Sequence, residues 1–131
     1  STSRLSEWGL TAGKYILFLG RFSPEKNCHL LIQAYEKLQT AVKLVLAGGS
    51  SYSGAYAVEL RTRQNQNIRF LDWVSGDALD ELLTNAMLFV LPSDIEGLSL
   101  ALLDAMGAGV CVLTSDIAEN CELVEGTGFT F

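Results

Sequence analysis

The stretch Tyr15-Ile16-Leu17-Phe18-Leu19-Gly20 decides the fold, because five consecutive apolar residues ending at a glycine predict a strand buried on both faces. Similar short apolar runs follow at Val42–Ala47, Ile68–Leu71, Met87–Leu91, Val110–Leu113 and Phe129–Phe131. Apolar residues at helical spacing separate these runs, at Leu30–Leu38, Ala55–Gln64, Asp77–Asn85, Leu98–Ala108 and Glu119–Val124. The alternation predicts an α/β fold, a Rossmann-like doubly wound parallel sheet of about six strands with helices on both faces.

The length and composition of the chain indicate a single domain. Its 131 residues suit one core, and 49% of them are hydrophobic while 18% are charged. Residues 1–13 are polar and are interpreted as a linker or a tag, whereas residues 14–131 form the predicted domain. Because residue 131 falls inside a predicted strand, we expect the domain to have been excised from a longer protein.

The charge of the chain excludes some classes of partner. The net charge is −6 and the isoelectric point is about 4.6, so the domain repels polyanions and nucleic acid is not expected to bind. No apolar run reaches the roughly 18 residues of a membrane span. Three cysteines without metal or redox spacing (Cys28, Cys111 and Cys121) predict structural thiols in a reducing compartment, and the cytoplasm is expected. Cys111 lies in an apolar run and is predicted to be a small core residue.

Two basic residues flank the loop that follows the first strand. In doubly wound folds, ligands bind beyond the carboxyl ends of the strands, which directs attention to Gly20-Arg21-Phe22-Ser23-Pro24-Glu25-Lys26-Asn27. Gly20 permits a sharp turn and a close approach of the backbone to a ligand. Arg21 and Lys26 together suit a diphosphate, which offers several oxygens within a few ångströms. The alternative for Lys26 is a surface ion pair with Glu25 or another nearby acid.

The loop after the fourth strand carries the second candidate site, because Glu96-Gly97 precedes the most apolar helix of the chain. Free backbone N–H groups near Leu98–Leu100 favour an anion there, and Gly97 leaves room for its approach. Asp104, eight residues beyond Glu96, suits a ribose diol as its partner. The alternatives are a dipole-favoured acid at Glu96 and simple surface exposure at Asp104.

These segments resemble the C-terminal, donor-binding domain of retaining GT-B glycosyltransferases, the group that includes glycogen synthases and the mannosyl- and glucosyltransferases of polysaccharides and lipopolysaccharides. The matching motifs follow one another in order from about residue 14 to residue 131. They are Phe18-Leu19-Gly20-Arg21 with Pro24-Glu25-Lys26-Asn27, Leu46-Ala47-Gly48-Gly49, Phe70-Leu71-Asp72-Trp73-Val74-Ser75, Val90-Leu91-Pro92-Ser93, Glu96-Gly97-Leu98-Ser99-Leu100 and Ser115-Asp116-Ile117-Ala118-Glu119-Asn120. The resemblance implies one half of a GT-B fold, with the N-terminal acceptor domain absent.

The resemblance also implies roles for the matching positions. Arg21 and Lys26 would hold the donor diphosphate, and Glu96 would contact hydroxyls of the sugar. The donor pocket would be completed by Gly20, Trp73, Val74, Gly97, Leu98, Ser99, Leu100 and Asp104. Within this set, the main chain near Trp73 and Val74 would contact the base, and Asp104 would bind the ribose. The implied reaction is transfer of a hexose, with retention, from a nucleoside-diphosphate sugar to a saccharide or lipid-linked acceptor.

The implied partners are the nucleoside-diphosphate sugar and the N-terminal domain of the same full-length chain. No cofactor is expected, and any peripheral attachment to a membrane is expected to involve the missing domain. The isolated domain is predicted to bind nucleotide without turning over.

Three positions depart from the family pattern. Asp104 replaces the usual Glu and shortens its reach by one methylene, and Asp72 replaces a common Gly beside the base. Asn27 stands where relatives often have Gly, which is a mild change because Asn tolerates left-handed backbone.

Other functions remain open for the same residues. A non-catalytic Rossmann-like nucleotide-binding or regulatory domain is the first alternative. A dehydrogenase or epimerase is disfavoured, because Gly20-Arg21-Phe22-Ser23 stands where those enzymes carry Gly-x-Gly-x-x-Gly. Asp94-Ile95-Glu96 also resembles a loosened Asp-x-Asp metal motif, although two basic residues on the facing loop make a metal redundant.

Overall fold

The computed structural model describes residues 3–49, 54–92, 105–114 and 129–130. Within them lie six parallel strands that form one sheet in the order β3-β2-β1-β4-β5-β6. The strands are β1 (Tyr15–Arg21), β2 (Lys43–Gly49), β3 (Ile68–Leu71), β4 (Leu88–Leu91), β5 (Val112–Thr114) and β6 (Phe129–Thr130). This order confirms the predicted Rossmann-like doubly wound sheet.

Helices precede and separate the strands. They are α1 (Ser3–Glu7), α2 (Cys28–Glu36), α3 (Ala55–Arg61) and α4 (Gly76–Thr84), and residues 105–107 are also helical. Right-handed crossovers from β1 to β3 put α2 and α3 on one face of the sheet, whereas the crossover from β3 to β4 puts α4 on the other. Among the helices that the structure describes, none is long and apolar enough to cross a membrane.

The central strand β1 confirms the expectation drawn from its sequence. Leu17 and Phe18 are consecutive, so their side chains point to opposite faces of the sheet, and both are fully buried. Both faces of β1 are therefore covered, which is why the run carries no polar residue. At the foot of the strand, Tyr15 is also buried and its hydroxyl donates to the carbonyl of Leu82 near the end of α4.

The segment before β1 packs onto α4. Leu5 and Leu10 are buried, and the Glu81 carboxylate accepts hydrogen bonds from the backbone N–H groups of Arg4 (2.6 Å) and Leu5 (2.9 Å). An acid at the beginning of a helix satisfies N–H groups that have no partner within the helix. Part of the segment that the sequence suggested as a linker is thus helical and contributes to the core.

Cys111 differs from its sequence-based prediction. We expected a core residue because it lies in an apolar run, but the structure places Cys111 just before β5 begins at Val112, and it is exposed. That prediction was wrong, since an apolar run does not report where its strand starts. Cys28 is buried at the beginning of α2, in agreement with a structural thiol, and Cys121 lies outside the described residues.

Candidate functional site

Two glycines bring β1 and β2 together at the carboxyl edge of the sheet. Gly20 and Gly48 are register partners with φ of +148° and +140°, a backbone conformation that L side chains rarely adopt. A Cβ on Gly48 would overlap the Gly20 carbonyl oxygen and lie 2.9 Å from its carbonyl carbon. The N–H of Phe22 then donates to the Gly49 carbonyl at 2.9 Å. Gly20 is half-buried at this edge and Gly48 and Gly49 are buried, so the two strands meet there backbone to backbone.

Arg21 and Trp73 flank Gly49 on this edge. Arg21 ends β1 as the register partner of Gly49, and its side chain is exposed. The Trp73 indole lies against Gly49 from the other side, with Nε1 3.5 Å from the place that a Cβ on Gly49 would take. Trp73 is 65% exposed, which is unusual for so large an apolar side chain, whereas Val74 is half-buried against the core. The structure thus brings together Gly20, Arg21 and Trp73 of the predicted site.

The loop after β1 holds Lys26 in a single 3₁₀ turn, Pro24–Lys26. The N–H of Lys26 donates to the Ser23 carbonyl at 3.0 Å, and the Ser23 hydroxyl donates to the Glu25 carboxylate at 2.9 Å. The pKa of Glu25 lies below its ordinary value, chiefly because its own backbone N–H and Ser23 stabilise the carboxylate. Lys26 and Arg21 lower it further through their charges, so one acid and two cations share this loop.

Asn27 ends the turn and ties the loop to β4. Its φ of 58° and ψ of 32° are left-handed, a conformation that Asn tolerates, and no other described non-glycine residue has a positive φ. The side chain is buried, and its Nδ2 donates to the Pro92 carbonyl at 2.9 Å. Pro92 directly follows β4, so the chain that leads toward Glu96 starts beside the loop of Lys26.

Arg61, which the sequence did not indicate, lies beside Asp72 and two aromatic rings. The Arg61 guanidinium lies over the rings of Phe22 (5.4 Å) and Phe70 (5.8 Å), and 3.8 Å from the Asp72 carboxylate. Phe22 and Phe70 in turn pack edge to face at 5.6 Å. Cation–π contacts of this kind hold an Arg in place at modest energy, about 0.5–1 kcal/mol where the site is exposed. No sequence signal could have found this cluster, because its members come from three separate elements.

Asp72 fits its position without strain. It is not among the described residues with positive φ, so the glycine common in relatives is not required there by the backbone. Its carboxylate is almost fully exposed, and an exposed pair with Arg61 contributes little to stability. An aspartate at this position is therefore compatible with the backbone of the loop after β3.

The remaining predicted site residues lie outside the described residues. They are Glu96, Gly97, Leu98, Ser99, Leu100 and Asp104. The metal hypothesis rests on Asp94 and Glu96 and is equally untested. Within the part of the chain that the structure describes, no three His, Cys, Asp or Glu side chains are grouped as metal ligands would be.

Comparison with known proteins identifies relatives along nearly the whole chain. Residues 7–129 match the family described as "Glycosyl transferases group 1". The chain is 32% identical to O-antigen chain mannosyltransferase B of Escherichia coli over 130 residues, covering 95% of this chain and 34% of that protein. It is 29% identical to alpha-maltose-1-phosphate synthase of Mycobacterium tuberculosis, with 93% and 34% covered.

Solved structures share the fold. The Anabaena HepE structure in complex with UDP-glucose superposes with a TM-score of 0.88 at 22% identity, covering 99% of this chain and 38% of that one. Sucrose-phosphate synthase from Thermosynechococcus elongatus gives a TM-score of 0.79 at 22% identity, covering 99% and 35%. The chain thus spans about a third of the length of these relatives.

Proposed function

The chain belongs to the glycosyl transferases group 1 family, and from this membership we propose that it is the donor-binding domain of a hexosyltransferase. Its ligand is a nucleoside-diphosphate hexose, bound at the carboxyl edge of the sheet. The relatives support this class of ligand, since one is named a mannosyltransferase and HepE was solved with UDP-glucose.

The observation that carries the proposal is the exposed side chain of Arg21 at the carboxyl edge of the sheet. Arg21 is the register partner of the buried Gly49 and follows the glycine pair Gly20–Gly48. A diphosphate can therefore reach the guanidinium at this edge, with Lys26 a few residues further along the chain. In a domain of net charge −6, such a local cluster is what an anion needs.

The residues of the proposed donor site have a chemical role in the reaction. Cleavage of the glycosidic bond leaves negative charge on the departing diphosphate, and pre-positioned cations stabilise that charge as it develops. In this proposal Arg21 and Lys26 act on the phosphates and Glu96 contacts the sugar hydroxyls. Backbone from Gly97 to Leu100 completes the pocket, and Asp104 binds the ribose. The base lies against the main chain at Trp73 and Val74.

The complete reaction needs a second domain in this proposal. Transfer of the hexose with retention takes place where an N-terminal domain of the full-length protein brings the saccharide or lipid-linked acceptor. The domain alone therefore binds nucleotide without measurable hexosyl transfer, and neither step requires a metal ion.

The test is a calorimetric titration of this chain with UDP, GDP and ADP in EDTA, repeated on Arg21→Ala and Lys26→Ala. Each variant should weaken binding of the preferred nucleotide by roughly tenfold or more, the usual value of a charge-assisted hydrogen bond. Lys37→Ala is the matched control, because it removes the same charge at the far end of α2. Equal losses of nucleotide affinity in all three variants would contradict a specific diphosphate site at Arg21 and Lys26.

The outcome also separates the alternative functions. A folded wild-type chain that binds none of the three nucleotides would favour a non-catalytic Rossmann-like domain. Binding that appears only after Mg²⁺ or Mn²⁺ is added would favour the metal hypothesis at Asp94 and Glu96.

A further inference from the structure

We infer that Asn27 is a positioning residue that clamps the loop of Lys26 to Pro92 at the end of β4, so that Lys26 keeps a fixed place at the carboxyl edge of the sheet. The inference rests on the proposed function. The role belongs to the side chain of Asn27, because a glycine could adopt the left-handed backbone equally well.

The first support is the number of bonds that converge on this residue. The Asn27 N–H donates to the Pro24 carbonyl at 3.0 Å, which closes the turn around Lys26. Its carbonyl accepts from the N–H groups of Leu30 and Leu31, both at 3.1 Å, and so begins α2. The backbone of Asn27 thereby fixes the loop to the helix, and its side chain is left to reach another element.

The second support is where that side chain goes. Nδ2 crosses to the Pro92 carbonyl, 65 residues away in sequence, and the contact is buried. Burial shields the bond from competing water, and losing the donor leaves a carbonyl without this partner. Pro92 directly follows β4, so the bond fixes the loop of Lys26 to the carboxyl end of that strand.

Side-chain and backbone roles can be separated by two substitutions at this position. Asn27→Gly keeps the left-handed turn and removes the amide, whereas Asn27→Ala removes the amide and also strains the turn. If Asn27 served the turn alone, Asn27→Gly would bind nucleotide as the wild type does, and only Asn27→Ala would lose affinity. We expect instead that Asn27→Gly folds and that its affinity for the preferred nucleoside diphosphate falls by roughly three- to tenfold.

A matched control amide lies at the start of β3. Asn65 accepts hydrogen bonds through Oδ1 from the N–H groups of Asn67 (2.7 Å) and Ile68 (2.9 Å), at the opposite edge of the sheet. Asn65→Gly should lower the melting temperature without changing nucleotide affinity. Equal loss of affinity in Asn65→Gly and Asn27→Gly would overturn the inference, because general loosening would then explain both.

Hydrogen exchange gives a readout that needs no ligand. In Asn27→Gly, amides in the peptide that contains Leu91 should exchange several-fold faster, while those of β2 and β3 keep their wild-type rates. Unchanged exchange in that peptide would overturn the clamp, and faster exchange with unchanged affinity would overturn its role in positioning. If the wild type binds no nucleotide, the proposed function fails, and the exchange arm still decides whether the clamp exists.

Discussion

Gly48→Ala puts a methyl group against the carbonyl of Gly20, its register partner on β1. The φ of +140° at Gly48 is unfavourable for alanine, and such a conformation costs about 1–3 kcal/mol. The new Cβ would also overlap the Gly20 carbonyl oxygen, and relieving an overlap in a packed region costs a further 1–3 kcal/mol or so. We therefore expect the free energy of unfolding to fall by about 2–6 kcal/mol.

Gly13→Ala separates the cost of backbone strain from the cost of steric overlap. Gly13 has φ of +74°, and no atom lies within 4 Å of the place that its Cβ would take, so alanine there meets strain without overlap. Its cost should be about 1–2 kcal/mol. Urea denaturation followed by circular dichroism measures both variants with one method.

The comparison can refute the reasoning. If Gly48→Ala costs no more than Gly13→Ala, the close approach of Gly20 to Gly48 does not exist in solution. If the larger cost is observed, relief of the overlap must move Gly20. Arg21 would move with it, so nucleotide binding should weaken in the same variant.

Three further predictions concern side chains that are buried or whose pKa differs from its ordinary value. Tyr15→Phe removes the donor to the Leu82 carbonyl and should cost about 1–3 kcal/mol in urea denaturation; no loss would mean that water replaces the hydroxyl. In the native chain, iodoacetamide should label the exposed Cys111, as detected by peptide mass spectrometry. Cys28 should stay unmodified, because burial raises the pKa of its thiol to about 12. Equal rates of labelling at the two cysteines would contradict the burial of Cys28. The lowered pKa of Glu25 stabilises the fold above its unfolded pKa, and this contribution disappears as the pH falls through the folded value. Wild type should therefore lose its advantage over Glu25→Gln as the pH falls below the ordinary glutamate pKa of about 4.3, and a difference in unfolding free energy that stays constant with pH would refute this.

The strands were predictable because each is a local signal. The run Ile68–Leu71 was predicted with the bounds that the structure gives, since short apolar runs in a parallel sheet need no information from elsewhere. The start of the chain was not predictable in this way. Its helix is held by Glu81, 76 and 77 residues away, and nothing in residues 1–13 reports that contact.

The candidate site shows the same division. The sequence indicated Arg21 and Lys26, because they follow a strand and lie close together along the chain, and it indicated that Asn27 tolerates left-handed backbone. The bond from Asn27 to Pro92 and the contacts of Arg61 with two aromatic rings join distant segments, so only the folded chain reveals them. The roles predicted for residues 96–104 remain predictions.

The most direct test of the donor site uses the two tryptophans. Trp73 lies on the proposed base side. Trp8 lies in the segment before β1, where it packs against the hydrophobic core, and it serves as an internal control. In a ¹⁵N-labelled sample containing EDTA, the preferred nucleoside diphosphate should shift the indole N–H resonance of Trp73 and leave that of Trp8 in place. A saturable shift at Trp73, absent in Arg21→Ala at the same nucleotide concentration, is the result that the account predicts. Binding that leaves Trp73 and the amides of Gly20 and Gly49 unshifted would contradict it.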